Sequence, residues 1–288
     1  MSHIETSNAD SVLRAMTDDG AFRVVTARMT DTVAQALSAQ EAWGENGRYL
    51  GELLTGAVLV RETMAPTHRV QALFRTRDRR GELVADAHPD GGNRGLMVRR
   101  RGLQEISLRD GTLELMRTLY NGEIHRSLVR VPDRGGLSET LMTYMAVSEQ
   151  VASMIAVACV LEDQKVRAAG GYIVQLLPEV GRAPLAIMTE RLRDFERIEK
   201  LMTAIDAAPS ALLDELLYGM PFTRLDHSPL SFKCRCNTVR VMGALASLGR
   251  DELSELVREE QLIEMACDYC GQQYAVSPGE LQGLMQQS

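Results

Sequence analysis

The chain has 288 residues, a formal net charge of −7, 45% hydrophobic residues and 25% charged residues. This composition is typical of a globular protein with a sizeable core, and it argues against an intrinsically disordered chain. The acidic balance argues against a protein that binds mainly to the phosphate backbone of a nucleic acid.

No segment has the pattern of a targeting or membrane-spanning sequence. Asp10, Arg14 and Asp18 interrupt the N-terminal window in which a signal peptide needs an apolar run. The longest apolar run, residues 151–161, is too short to cross a bilayer as a helix. We therefore expect a cytoplasmic protein that has no membrane partner and whose thiols are kept reduced.

The first part of the chain predicts a helix followed by several strands. Apolar residues recur at steps of three and four over 48–64, which is typical of an amphipathic helix packed on a core. Short aliphatic segments broken by turn residues then predict strands over 68–76, 81–87, 94–100 and 103–108.

A β-hairpin and a short helix are predicted next. Apolar segments at 113–120 and 123–131 flank Asn121-Gly122, a dipeptide that favours a two-residue type I′ turn. Ser138 has the pattern of an N-cap, which predicts a helix from there to about residue 147.

A second strand pair is predicted at 151–161 and 166–177, around a charged turn. Cys159 lies in the first of these apolar runs. A single cysteine in such a run is more typical of a small buried hydrophobe than of a nucleophile, so we assign it no role.

From residue 186 the pattern becomes helical, and a second helix follows Pro209, with Ser210 as its predicted N-cap. Residues 221–229 then predict an extended linker. The helices either form a hairpin packed on the core or form an amphipathic segment whose packing can be released. Periodicity does not choose between these two interpretations.

Four of the five cysteines form two tight pairs, Cys234-Arg235-Cys236 and Cys267-Asp268-Tyr269-Cys270. Four thiolates are the donor set that Zn²⁺ binds in tetrahedral sites, although one intervening residue in the first pair is an unusual spacing. The pattern indicates a metal site, a redox switch or both.

A small closed unit is predicted around these cysteines, with Ser277 as the N-cap of its last helix. Its other elements are helices at 239–248 and 251–259 and strands at 262–265 and 273–276. About fifty-five residues with few large apolar side chains are only marginally stable alone. We therefore expect a bound metal to be part of the fold of this unit.

The whole chain resembles the thirty-three-kilodalton chaperonin family, the redox-regulated heat-shock holdases of the bacterial cytosol. The resemblance rests above all on Phe232-Lys233-Cys234-Arg235-Cys236 and on Cys267-Asp268-Tyr269-Cys270-Gly271. Together with the patterns above, it implies an α+β fold in three parts. These are a strand-rich core domain with packed helices over 1–180, a helical, redox-sensitive linker over 181–232 and a zinc-binding redox-switch domain over 233–288.

The resemblance implies that Cys234, Cys236, Cys267 and Cys270 hold one Zn²⁺ per chain in a reduced, inactive protein. Oxidation would form the disulfides Cys234–Cys236 and Cys267–Cys270, release the zinc and unfold the small domain. Apolar surface exposed in this way would bind unfolded or partly folded client proteins and prevent their aggregation without ATP. The expected assembly is a monomer when reduced and a homodimer when oxidised.

Two other functions were considered, neither of which the sequence favours. A structural zinc module on a binding protein that contacts nucleic acid would need a basic face, but residues 233–288 carry five basic and eight acidic residues. A dithiol oxidoreductase would place Cys267-Asp268-Tyr269-Cys270 at a helix N-terminus, whereas this pair lies between two predicted strands. No phosphate-binding glycine loop or nucleophile elbow is present in the sequence, so we expect no enzyme activity and no nucleic-acid partner.

Overall fold

The computed structural model describes residues 9–177, 182–258 and 262–287. Its internal contacts divide the chain into two compact units between Lys233 and Cys234. The predicted α+β class, with a strand-rich core and a small four-cysteine region, is confirmed. The finer division of the chain at residues 180 and 232 stays a prediction. Among the described residues, no helix is both long enough and apolar enough to cross a membrane.

The N-terminal unit contains two β-sheets and several helices. Its strands are β1 (Ser11–Thr17), β2 (Phe22–Arg28), β3 (Arg69–Arg75), β4 (Gly81–Ala87), β5 (Gly92–Arg99), β6 (Thr112–Thr118), β7 (Ile124–Arg130), β8 (Ser153–Glu162), β9 (Lys165–Leu176), β10 (Phe222–Pro229) and β11 (Ser231–Phe232). Its helices are α1 (Thr30–Ala39), α2 (Gly44–Glu62), α3 (Leu137–Tyr144), α4 (Arg182–Leu192), α5 (Glu199–Ala204) and α6 (Pro209–Leu216).

The strands form one sheet in the order β10-β1-β2-β9-β8 and another in the order β11-β5-β4-β3-β6-β7. Neighbouring strands are antiparallel except for β11, which runs parallel to β5. Helix α2 packs against strands of both sheets, so it lies in the middle of the main core. Helices α5 and α6 pack on the other face of the first sheet, which is therefore covered on both sides.

The approach of α2 to the first sheet depends on Gly51. A Cβ atom at this position would lie 2.5 Å from the Sγ of Cys159 on β8, closer than real Cβ contacts come. A glycine therefore lets the helix backbone come close to the strand, and Leu50, Leu53 and Leu54 beside it are fully buried in the same core.

The helical segment α4–α6 is held on the first sheet by apolar packing and by polar contacts. Its buried residues include Met188, Leu192, Ile198, Met202, Leu212, Leu213 and Leu216. The hydroxyl of Thr26 on β2 donates a hydrogen bond of 2.8 Å to the carbonyl of Pro209. Arg28 donates to the carbonyl of Asp206 at 3.2 Å and to the buried carboxylate of Asp10 at 2.7 Å. The segment is thus a packed helical layer in this structure.

The strand predicted at 103–108 is wrong. Ile106 and Leu108 are buried, but their backbone forms no ladder and runs as a loop. The side chain of Asn46 on α2 replaces a partner strand, because it accepts from the Ile106 N–H at 2.8 Å and donates to the Gln104 carbonyl at 2.9 Å. The apolar pattern correctly indicated burial, but burial did not require strand pairing here.

The predicted hairpin is confirmed, but its turn is not the predicted two-residue type I′ turn. Strands β6 and β7 end their pairing at Thr118 and Ile124. Only Gly122 of the dipeptide has a positive φ, 86°, whereas a type I′ turn needs positive φ at both residues. The Gly122 N–H donates to the Leu119 carbonyl, which indicates a three-residue loop that places its glycine in the left-handed region.

Four other differences concern caps and edges. Ala208, and not the predicted Ser210, precedes α6, which begins at Pro209. Gly136 precedes α3 in place of Ser138, whose hydroxyl instead accepts from the Val157 N–H at 3.1 Å. The linker predicted at 221–229 is strand β10, which pairs with β1 at the edge of the first sheet. The sequence analysis did not predict β1 and β2. The strand pair at 151–177 and the long helix are confirmed with small shifts of their ends.

The C-terminal unit contains the predicted elements. They are α7 (Thr238–Ala246), α8 (Arg250–Arg258), β12 (Ile263–Ala266), β13 (Gln273–Val276) and α9 (Pro278–Gln287). Ser277 and Glu280 form the predicted capping box, because the Ser277 N–H donates to the Glu280 carboxylate and the Glu280 N–H donates to the Ser277 hydroxyl. The fully buried apolar core among the described residues is small: Leu245, Leu253, Val276 and Leu281.

Candidate metal and redox centre

The two cysteine pairs meet in the C-terminal unit. The Sγ atoms of Cys234, Cys236, Cys267 and Cys270 all lie within 4.8 Å of one another. The sulfurs of Cys234 and Cys267 are 3.6 Å apart, and those of Cys236 and Cys270 are 3.5 Å apart. Both distances are far above the S–S bond length of about 2.05 Å, so all four residues are free thiols here.

The second pair lies in the turn between β12 and β13. The two strands pair antiparallel up to Ala266 opposite Gln273. The N–H of Cys267 donates to the Gln272 carbonyl at 2.9 Å, and the Gly271 N–H donates to the Cys267 carbonyl at 2.8 Å. Gly271 has a φ of 71°, which a residue with a side chain rarely adopts. This tight turn holds Cys267 and Cys270 side by side.

The first pair lies immediately before α7. The side chain of Asn237 caps this helix, since its Oδ1 accepts from the Arg240 N–H at 2.9 Å. The cap fixes the point at which the extended chain becomes helix, one residue after Cys236. Cys234 and Cys236 are half-buried, as are Cys267 and Cys270.

The four sulfurs influence one another electrostatically. Burial raises the pKa of Cys234, but hydrogen bonds from the Cys236 backbone and the neighbouring thiols outweigh it and lower the pKa to about 7. Burial and hydrogen bonds with the other three thiols raise the pKa of Cys270 to about 12. Burial also raises the pKa of Cys267. One thiolate thus forms readily in the cluster, whereas four together require a cation to neutralise them.

The geometry fits a soft divalent cation. Four sulfurs at about 2.3 Å from a tetrahedral Zn²⁺ would be about 3.8 Å apart, close to the separations of 3.6 Å and 3.5 Å in the cluster. The structure therefore brings together every residue of the predicted metal site in positions that can bind a metal ion. In the part of the chain that is described, these cysteines are the one group of potential ligands found close enough for this.

Tyr274 is a residue of this centre that the sequence analysis missed. It lies on β13, and a hydrogen bond with the sulfur of Cys236 raises the pKa of its hydroxyl to about 12. A hydroxyl hydrogen-bonded to a ligand sulfur helps to orient that sulfur. No local pattern indicates this contact, because it depends on how β13 passes the first cysteine pair.

The fifth cysteine lies away from the cluster, in the N-terminal unit. Cys159 is 2% exposed on β8, and burial raises the pKa of its thiol to about 12. A buried, protonated thiol reacts slowly with oxidants and alkylating reagents, so the prediction that Cys159 is a small buried hydrophobe is confirmed.

We expect iodoacetamide to leave Cys159 unlabelled in the native reduced protein and to label it after denaturation. Peptide mass spectrometry would measure the labelled fraction. Cys234 is the internal comparison, because its thiol is only half-buried and is free to react once a chelator has removed the metal. Labelling of Cys159 in the native protein at the rate of a free thiol would contradict its assignment as a buried core residue.

The turn that carries Cys267 and Cys270 also argues against the dithiol oxidoreductase function. Cys267 and Cys270 lie in a β-turn between two strands, and not at the N-terminus of a helix, where the dipole would lower a thiol pKa. The pKa values of Cys267 and Cys270 are raised, which is the reverse of an activated dithiol pair.

Comparison with known proteins gives one consistent result. The family model described as Hsp33 protein matches residues 10–277. The chain is 29% identical over 287 residues to a protein of Syntrophotalea carbinolica named 33 kDa chaperonin, covering 96% of this chain and 99% of the relative. It is 26% identical over 291 residues to the 33 kDa chaperonin of Shouchella clausii, covering 97% of this chain and 98% of the relative.

A solved structure has the same fold. The crystal structure of a 33 kDa chaperonin (heat shock protein 33 homolog) from Thermotoga maritima matches with a TM-score of 0.83 and 22% sequence identity. The match covers 96% of this chain and 98% of that one.

Proposed function

The chain belongs to the Hsp33 family, and we propose that it is a redox-regulated, ATP-independent chaperone of the cytoplasm. In this proposal the reduced, zinc-bound protein is inactive. After oxidation it releases the metal and holds unfolding proteins, which prevents their aggregation. The observation that carries the proposal is the convergence of four cysteine sulfurs within 4.8 Å in a unit with a very small apolar core.

Cys234, Cys236, Cys267 and Cys270 would hold one Zn²⁺ per chain in the reduced state. Bound zinc supplies no redox chemistry, but it favours the thiolate form of its ligands and cross-links the segments that carry them. Asn237, the Gly271 turn and Tyr274 would orient the four sulfurs, because each fixes the backbone or side chain next to a ligand.

The four sulfurs are the redox-active atoms. A thiolate attacks a peroxide to form a sulfenic acid and releases hydroxide or water. A second thiol attacks the sulfenic sulfur, which forms a disulfide and releases water, so each disulfide uses one two-electron oxidant. We propose the pairs Cys234–Cys236 and Cys267–Cys270. Because a disulfide sulfur is a poor ligand, the oxidation of each pair removes two donors from the metal.

Loss of the metal would then unfold the C-terminal unit. A structural zinc site can contribute on the order of 10 kcal/mol to the folding of a small domain, which is similar to the total stability of many domains. The four buried apolar residues of this unit cannot replace such a contribution.

The client-binding surface is proposed to come from release of α4–α6. These helices cover an apolar face of the first sheet with buried methionine, leucine and isoleucine side chains. Their release would expose both the inner side of the helices and the face of the sheet, and large exposed apolar patches bind unfolded chains. The client would be any unfolding protein. The protein would be a monomer when reduced and a homodimer when oxidised, and it would have neither enzyme activity nor a nucleic-acid partner.

The proposal is tested by measuring zinc content and chaperone activity in the same samples before and after oxidation. We expect about one zinc per chain and no suppression of client aggregation in the reduced protein. Peroxide or hypochlorite should release the zinc, and aggregation of a heat-unfolded client should then be suppressed. Peptide mass spectrometry would identify the disulfides. Equal activity of the reduced zinc form would contradict the switch, and disulfides between the two pairs would contradict the proposed pairing.

A further inference from the structure

A cleft of about 530 Å³ lies in the N-terminal unit. It is formed by β1, β2, the end of α2, the turn between β4 and β5, and the end of β10. Its size falls within the range of small-molecule sites. Three arginine side chains line this cleft: Arg14, Arg23 and Arg61.

The three arginines converge on one buried glutamate. The side chain of Glu62 is 4% exposed, and Arg14 donates to its Oε2 at 2.8 Å through Nε. Arg61 donates to the other oxygen, Oε1, at 2.5 Å. Arg23 donates to the backbone carbonyl of Glu62 at 2.8 Å. Both carboxylate oxygens are therefore already occupied by two of the three guanidinium groups.

The inner end of the cleft consequently has more positive than negative charge. Three guanidinium groups and the Glu62 carboxylate lie in partly buried positions there, whereas the two other carboxylates that line the cleft, Asp226 and Asp90, are more exposed. Burial, reinforced by the like charge of Arg14 and opposed by Glu62, lowers the pKa of Arg23. Buried positive charges are costly unless an anion compensates them.

Arg61 supplies an independent sign of a missing acceptor. Its side chain is 9% exposed, and its two terminal nitrogens donate to Glu62 and to the Pro66 carbonyl. Its Nε is buried and has no hydrogen-bond partner among the described residues. A buried guanidinium N–H without an acceptor is uncommon in folded proteins, so the charge of Arg61 is only partly compensated by the groups around it.

We propose that this cleft binds a phosphate-type oxyanion, either inorganic phosphate or the phosphoryl group of a small metabolite. Arginine suits this chemistry because its planar fork donates parallel hydrogen bonds to two oxygens of a phosphate group.

The carboxylates at the rim set a limit on the affinity. Asp226 is 73% exposed and lies 3.8 Å from Arg14, and Asp90 accepts from Lys233 at 2.9 Å. The charge of Asp226 opposes an incoming anion, but solvent screens it, whereas the Asp90 charge is balanced by its own lysine partner. Removal of the Asp226 charge should therefore tighten anion binding.

The experiment uses the full-length, reduced, zinc-loaded protein, with inorganic phosphate and a nucleoside monophosphate as separate probes. Isothermal titration calorimetry would measure the dissociation constants at constant ionic strength, and thermal unfolding would check that each variant is folded. We expect saturable binding with one site per chain. Tighter binding of the monophosphate would identify the phosphoryl group of a metabolite as the ligand, and tighter binding of inorganic phosphate would identify the free ion.

Arg23→Gln should weaken phosphate binding by about tenfold or more, because charge-assisted hydrogen bonds are lost.

Two further variants keep the test decisive. Asp226→Asn should bind phosphate about two- to threefold more tightly, since it removes a nearby negative charge from an exposed position. Arg126→Gln removes an equal positive charge from an exposed position on β7, outside the cleft, and should leave the dissociation constant unchanged. The proposal is overturned if no saturable binding occurs, or if Arg23→Gln and Arg126→Gln weaken it equally.

Discussion

The substitution Cys267→Ser is expected to abolish tight zinc binding and to unfold the C-terminal unit, while the N-terminal unit stays folded. A serine hydroxyl is a poor ligand for a site that uses thiolates, and three remaining sulfurs cannot complete a tetrahedral structural site. Substitution of groups that merely orient ligands costs about ten- to a hundredfold in metal affinity. Loss of a ligand should therefore weaken zinc binding by more than about a hundredfold.

The unfolding follows from the small core of this unit. Among its described residues the buried apolar core consists of Leu245, Leu253, Val276 and Leu281, and so small a core leaves the fold dependent on the metal cross-link. A chromophoric chelator would measure the zinc affinity. Hydrogen exchange, read separately for peptides of the two units, would show loss of protection in α7 and in β12–β13 but not in α2.

Gln272→Ser is the matched control for this substitution. It introduces the same residue into the same turn, where Gln272 is exposed and where its contribution to the cysteine turn is its backbone carbonyl. Zinc affinity and protection should both remain at wild-type values. If Cys267→Ser retained tight zinc binding and a protected C-terminal unit, the four-cysteine site would not be what holds this unit together.

The candidate site was predictable from sequence because its signal is local. Two close cysteine pairs specify the donors, and the turn residues around Cys267 and Cys270 specify a knuckle between two strands. The capping residues Asn237 and Ser277 lie next to the elements that they start. In contrast, the contact of Tyr274 with Cys236 joins residues that are distant in the chain, and no local pattern encodes it.

The fold was predictable where the local sequence pattern and the tertiary contacts favour the same helix or strand. The hairpin β8–β9 and the helix α2 have strong periodicity and were predicted, whereas β10 has polar, proline-containing sequence and becomes a strand only because β1 offers it an edge. The loop at 103–108 shows the reverse case. Its apolar residues are buried, but Asn46 satisfies its backbone in place of a neighbouring strand.

The sequence pattern of α4–α6 fits both a packed helical hairpin and a segment whose packing can be released, and the structure shows the packed arrangement. Apolar packing keeps it on the first sheet, and side chains of the sheet, on Thr26, Arg28 and Tyr172, donate hydrogen bonds to backbone carbonyls of the segment. Release of this layer would cost the packing free energy of its buried side chains, and the surface it leaves is itself apolar.

Met202→Glu is expected to make the reduced, zinc-loaded protein active as a chaperone. Met202 is fully buried on α5, where its terminal methyl group packs against Gly170 of β9. An ionised carboxylate at this position would be buried without a partner, and this costs several kcal/mol. A cost of this size is large for a helix as short as α5. We therefore expect α4–α6 to detach from the sheet without oxidation of any cysteine.

The readout is suppression of aggregation of a heat-unfolded client under reducing conditions, together with zinc content. Ala204→Glu is the matched control, because it adds the same charge to the same helix at an exposed position and should stay inactive. Zinc bound at the wild-type level would show that activity arises downstream of the cysteine switch. If hydrogen exchange shows α5 and α6 released in Met202→Glu while the reduced protein still fails to hold the client, these helices do not cover the client-binding surface.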